Sequence, residues 1–199
     1  SGCKTTKIIK RGEIIFNEGD MLNGVFCVKD GICKLSKLSA NGKDQIVKLV
    51  IKGDLLGQHS LVSDERSNLQ AVALNDMEVC FIPKAEIIND LKKNPAFTYD
   101  VLQNMALDLR EADDIIVNMA QKTVRKRMAE VLTNIHSNYG VNQDGTLSVI
   151  LSREDLASVV GTATESAIRV LSQFKKEGLI STIGKQIKIE DPSGLKHVE

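Results

Sequence analysis

Glu165 and Arg169 stand four residues apart, a spacing that on a helix puts both side chains on one face, one turn from each other. An arginine fork matches the O6 and N7 acceptors of guanine, and a glutamate accepts from the N4 amine of cytosine. The pair could therefore read one G·C base pair from both strands. The alternative is a surface ion pair within the helix, worth about 0.2 to 0.5 kcal/mol. Cys3, Cys27, Cys33 and Cys80 offer thiols, but without CxxC or Cys/His zinc spacing. His59, His136 and His197 have no partner at useful spacing, and each reads as a lone histidine. The chain lacks HExxH, GxSxG, P-loop and dinucleotide fingerprints, so no enzyme and no metal site is expected.

The elements that must position these residues fall in a chain of 199 residues, long enough for one or two domains with real cores. With 42% hydrophobic and 26% charged residues it reads as an ordinary globular protein rather than a disordered or collagen-like one. The 26 Lys and Arg offset the 26 Asp and Glu, so net charge points to neither nucleic acid nor membrane. Locally there are 15 basic against 17 acidic residues up to Gln121, and 11 against 9 beyond it. No apolar run approaches the roughly 18 residues of a membrane span. Unpaired cysteines without a signal peptide predict reduced thiols in a cytoplasmic protein. The chain begins without Met, close to its first strand-like run, and a preceding segment is expected.

From Ile8 to Ile82, short β-like runs alternate with turn signals at Glu18-Gly19-Asp20, Asp30-Gly31, Asn41-Gly42 and Gly53-Asp54. Val25–Val28 and Ile32–Leu35 around Asp30-Gly31 predict a tight hairpin, and a second one turns at Asn41-Gly42. The region predicts a β-roll ending at Pro83. Beyond Pro95, Leu102, Met105, Leu109, Ala112, Ile116 and Met119 recur with alternating gaps of 3 and 4. That is the seam of a coiled coil, flanked by Asp108, Arg110, Glu111, Asp113 and Asp114, and it predicts a helix along which two copies pair. Lys122, Arg125, Lys126 and Arg127 open a further amphipathic helix. After a polar turn at residues 138–145 come a short strand, Leu147–Leu151, and two compact helices, Arg153–Val160 and Thr164–Lys176. Ser152 with Asp155 caps the first helix, and Thr162 with Glu165 is read as a capping box on the second. Leu179–Ile189, broken at Gly184-Lys185, reads as a two-stranded wing. Helix, glycine turn, helix and hairpin make a winged helix-turn-helix, whose second helix enters a major groove.

Ser152-Arg153-Glu154-Asp155-Leu156-Ala157-Ser158-Val159-Val160-Gly161, followed by Thr164-Glu165-Ser166-Ala167-Ile168-Arg169, resembles the DNA-binding domain of the CRP/FNR superfamily of bacterial transcription regulators. The likeness continues upstream through the heptad helix and Gly53-Asp54-Leu55-Leu56-Gly57, and the FNR-like branch is the nearer one, without its N-terminal cysteine motif. The implied architecture is α+β: a cyclic-nucleotide-binding-like β-roll over residues 1–94, a dimerisation helix over 95–121 and a winged helix over 122–199. By the same resemblance Glu165 and Arg169 read bases in TGA-containing half-sites arranged as an inverted repeat. Arg153, Thr164 and Lys185 would hold DNA phosphates. Lys175 and Lys176 read instead as a solvated helix end.

The resemblance also places an effector pocket in the roll, with Gly57, Gln58, Arg66 and Ser67 as its residues here. Cyclic-nucleotide-binding relatives have Glu where this chain has Gln58, and hydroxyl residues where it has Ala112 and Asp113, so cAMP is not expected. Cys80 falls where the oxygen-sensing branch has a cluster ligand. Cys3 alone stands upstream, so no iron–sulfur cluster is expected on these residues and Cys80 reads as a buried strand thiol. Expected partners are double-stranded DNA, a second copy of the chain and, by family, RNA polymerase, with no membrane. The alternative is a ligand-binding or protein-interaction module whose winged domain has lost DNA recognition.

Overall fold

The computed structural model describes residues 5–38 and 44–199. Cys3 and the Asn41-Gly42 turn lie outside the described residues. The chain divides into two compact units, Ser1–Asp114 and Ile115–Glu199, and the division falls inside one long helix.

Among the described residues of the first unit, eight strands form two antiparallel sheets. One has the order β1 (Thr5–Ile9), β8 (Met77–Pro83), β3 (Gly24–Asp30), β6 (Leu55–Leu56). The other has the order β2 (Ile14–Phe16), β7 (Gln70–Ala73), β4 (Cys33–Leu38), β5 (Asp44–Val50). Phe16, Val28, Cys33, Leu56, Met77 and Val79 are buried together as one cluster. This is the jelly-roll architecture expected for the region, because each sheet has one apolar face to hide against the other.

The hairpin at Asp30-Gly31 is not formed. β3 pairs with β8 and β6, whereas β4 pairs with β5 and β7, so the chain crosses here from one sheet to the other. Gly31 still needs to be glycine, at φ +90°, where a Cβ would come within 2.7 Å of the Asp76 carbonyl oxygen. The crossing is held by the Ile32 amide donating to Asn75 Oδ1 at 2.7 Å and the Leu74 amide donating to the Ile32 carbonyl at 2.8 Å.

Three helices complete this unit. α1 (Gln58–Ser63) follows Gly57, and α2 (Lys84–Lys93) starts at Pro83. Leu61 and Ile87 bury themselves against Val25, and Phe97, in the first turn of α3 (Pro95–Gln121), joins that cluster. Beyond this anchor α3 buries no residue at all. Leu102, Leu109 and Ile116 are 60%, 66% and 66% exposed, so the apolar seam is uncovered within a single chain.

The second unit consists of α4 (Val124–Tyr139), α5 (Arg153–Val160), α6 (Thr164–Lys176), the ribbon β9 (Ile180–Ile183) with β10 (Gln186–Ile189), and α7 (Pro192–Lys196). Met128, Leu132 and Ile135 from α4, Leu156 and Val160 from α5, and Leu171 and Phe174 from α6 are buried, as the helical periodicity of each segment requires. The strand expected at Leu147–Leu151 is absent. Val141 bridges Leu147 and Thr146 bridges Lys188, and no ladder extends from either. The buried side chains of Leu147, Val149 and Leu151 account for the strand-like alternation without strand pairing.

Candidate nucleic-acid interface

α5 is fixed at both ends by local chemistry. Ser152 Oγ accepts from the Asp155 amide at 2.9 Å and the Asp155 carboxylate accepts from the Ser152 amide at 3.2 Å, which completes the expected capping box. At the other end Gly161 turns left-handed at φ 69°, and the Thr162 amide returns to the Ala157 carbonyl at 3.0 Å.

That return corrects the second capping box. With its amide spent on closing α5, Thr162 stands one residue too early, and the cap of α6 is Ala163, which offers no side-chain acceptor. Glu165 is therefore released from capping, and the first-turn amides of α6 have no side-chain cap.

α6 presents two faces. Ala167, Val170, Leu171 and Phe174 are buried, while Glu165, Ile168 and Arg169 are exposed. The intrahelical ion pair is not formed, and among the described residues neither Glu165 nor Arg169 has a hydrogen-bond or ion-pair partner. Both side chains are thus available to an external acceptor or donor. Lys175 and Lys176 occupy the last turn, exposed.

Arg153 opens α5 and donates from Nη2 to the Gly184 carbonyl of the wing turn at 3.2 Å. Its Nη1 is buried and without a partner. Partial burial holds the guanidinium pKa below its ordinary value. An unpaired N–H on a desolvated cation is the donor that a phosphate oxygen satisfies best. Lys185, next to Gly184, is exposed at the tip of the wing, and Thr164 is half-buried at the start of α6. Arg153 and the wing are thereby brought together.

In the β-roll, Gly57 precedes α1 and Gln58 is its first residue. Arg66 Nη1 donates to the Gly19 carbonyl at 2.8 Å. Ser67 is buried, its hydroxyl donating to the Leu69 carbonyl at 2.8 Å. As they stand, Arg66 and Ser67 serve the roll's own backbone, and a phosphate would have to displace them. His59 corrects the lone-histidine expectation: it lies in α1, with Nε2 3.1 Å from Asp108 Oδ2 of α3. Lys48 of β5 bonds the other Asp108 oxygen and lies 3.5 Å from Glu111. These acids on α3 face the roll through their charged partners, whereas Ala112 and Asp113 are exposed.

Cys80 is also a correction, because it is disulfide-bonded rather than a free thiol. Its strand pairs with β1 in a register that sets Thr6 opposite Cys80. Cys27 and Cys33 are free. Cys27 lies opposite Cys80 in one sheet, while Cys33 is buried in the other. Among the described residues Cys33 stands in the other sheet from Cys27 and Cys80, and these three thiols do not make up the four thiolates of a cluster.

A two-sheet β-roll joined through one long helix to a winged helix defines a class of two-domain protein. Comparison with known proteins narrows the class. Residues 6–94 match the family described as cyclic nucleotide-binding domain, and residues 126–198 match the Crp-like helix-turn-helix domain. The anaerobic regulatory protein of Haemophilus influenzae is 28% identical over 95% of this chain and 74% of its own length. The protein of the same name from Bacillus subtilis is 29% identical over 89% and 76%. Among solved structures, FixK2 from Bradyrhizobium japonicum superposes with a TM-score of 0.85 at 24% identity, covering 98% of this chain and 96% of FixK2. This protein belongs to the CRP/FNR superfamily of transcription regulators, whose DNA-binding module is its winged helix. Among the described residues no helix is long and apolar enough to cross a membrane.

Proposed function

We propose that this protein is a homodimeric, sequence-specific transcription regulator that reads an inverted repeat with TGA-containing half-sites. The observation that carries this reading is the face of α6 on which Glu165 and Arg169 stand exposed and unpartnered, opposite a fully apolar face. Arg169 donates to guanine and Glu165 accepts from cytosine of one G·C pair. Arg153, Lys185 and the first-turn amides at Thr164 hold phosphates and set the register. Ile168, 46% exposed between the two readers, has no hydrogen-bonding group, so it meets bases through apolar contact.

Two copies pair along the Leu102, Met105, Leu109, Ala112, Ile116 and Met119 seam of α3, which a single chain leaves open. Pairing presents two recognition helices to major-groove segments about 34 Å apart. Regulation enters through the β-roll. A small anionic effector would act on the segment carrying Gly57, Gln58, Arg66 and Ser67 and shift the population of seam packings that suit this spacing. RNA polymerase is the expected partner on DNA, and the cytoplasm the expected compartment. Fluorescence anisotropy of the full chain on a TTGA-N6-TCAA duplex and on a scrambled duplex at one salt concentration tests the reading. Equal binding to every duplex, by wild type and by Arg169→Ala alike, favours an interaction module instead.

A further inference from the structure

We infer that Arg127 is a positioning residue for DNA reading, a bracket that fixes recognition helix α6 relative to the end of the pairing helix α3. This inference rests on the DNA-reading role proposed above. Arg127 lies on α4, half-buried, and its guanidinium bonds backbone carbonyls only. Nη1 donates to Lys122 at 2.8 Å and to Met119 at 3.2 Å, Nε donates to Val160 at 2.8 Å, and Nη2 donates to Gly161 at 3.4 Å. Met119 belongs to the last turn of α3 and Lys122 follows it, while Val160 and Gly161 close α5.

Carbonyls at a helix C-terminus lack intrahelical partners and carry the negative end of the dipole. One cation between two such ends is therefore favoured at both. Among the described residues Arg127 meets no carboxylate, so its charge is directed wholly to these helix ends. Only a planar fork reaches both. A lysine ammonium keeps the charge but cannot bond carbonyls that lie to either side of it. Gly161 is three residues before Thr164, where α6 begins, so a hold on the Gly161 carbonyl is a hold on the chain at the entry to α6. With α3 held by its partner copy, the bracket makes each recognition helix follow the dimer axis. What it controls is the distance between half-sites rather than base identity, and a residue that merely stabilised the winged unit would not affect that distance.

The test uses the full chain as wild type, Arg127→Gln and Arg127→Lys, each melted to show that it is folded at the assay temperature. Wild type first selects its preferred duplex from a randomised pool. Anisotropy is then measured on that duplex, on versions with the spacer one base pair longer or shorter, on a half-site base change and on scrambled DNA. Arg127→Gln is expected to lose about tenfold on the selected duplex, within the range by which single residues alter coupling, and to lose most of its spacing preference. Its discrimination at the half-site base and its affinity for scrambled DNA should stay within about twofold of wild type, since Arg127 touches neither base nor phosphate. Arg127→Lys should behave like Arg127→Gln, and it carries the test if the glutamine variant melts too low. A folded variant with wild-type spacing preference overturns the bracket while leaving the DNA reading intact. A wild type that selects no duplex overturns both.

Discussion

Replacing Leu109 by alanine removes the centre of the α3 seam, and the structure sets the size of the effect. Leu109 is 66% exposed in the single chain, flanked at one heptad either way by Leu102 at 60% and Ile116 at 66%. Fully burying a leucine yields about 1.5 to 3 kcal/mol, so covering the exposed two-thirds yields about 1 to 2 kcal/mol in each copy. A two-fold seam counts the change twice, about 2 to 4 kcal/mol, or about 30- to 900-fold in dimer Kd, less the share retained by the alanine methyl. Leu109→Lys should abolish the dimer over the same range, because pairing would bury two unpaired ammonium groups. Leu107, 51% exposed but off the seam, is the control, and Leu107→Ala should leave association unchanged. Sedimentation velocity across a dilution series measures all four proteins. If Leu109→Ala dimerises as tightly as wild type, or if Leu107→Ala is equally damaging, α3 is not the pairing helix.

Arg169→Ala should cost about 1 to 3 kcal/mol on the preferred duplex and relax the choice at one G·C pair, read by anisotropy over single-base variants. Lys185→Ala, at a phosphate rather than a base, should weaken every duplex alike and lower the salt slope by about 1, and a sequence-dependent loss would refute that role. Burial, with a smaller contribution from the Asp54 charge, pushes the Cys33 thiol up from 9.0 to about 12. The folded chain therefore holds this proton more tightly than the unfolded one, and the associated stability is full below 9.0 and is lost between 9.0 and about 12. At pH 8 the thiolate population at Cys33 should be about a thousandfold lower folded than in urea. Mass spectrometry of thiol labelling with and without urea measures this, and rapid labelling of Cys33 in the folded chain would contradict it.

Features legible in the sequence were those governed by neighbours along the chain. α5 and α6 run over Arg153–Val160 and Thr164–Lys176 as their periodicity, Ser152 cap and Gly161 punctuation indicate. The exposed Glu165 and Arg169 follow from the same pattern. Thr162 was misleading because a hydroxyl three residues before a glutamate looks the same whether or not its amide is already committed to Ala157. Asp30-Gly31 specifies a backbone of positive φ but not which strand lies alongside. Val28 and Cys33 enter the same core from opposite sheets, so tertiary packing rather than the turn decides the pairing. The partner of His59 lies 49 residues away on α3, and no local pattern announces it. Arg127 showed only as one of four basic residues around the start of a helix, because its acceptors are carbonyls, and carbonyls leave no signature in residue type.

On the reading proposed above, the exposed face of α6, doubled by pairing along α3, reads a spaced inverted repeat. Anisotropy of the unliganded full chain on TTGA-N6-TCAA and on a scrambled duplex of equal composition, at one salt concentration, tests it most directly. A specificity ratio above about 10³ is expected. A ratio near one on this duplex and on every duplex recovered from a randomised pool would refute the reading.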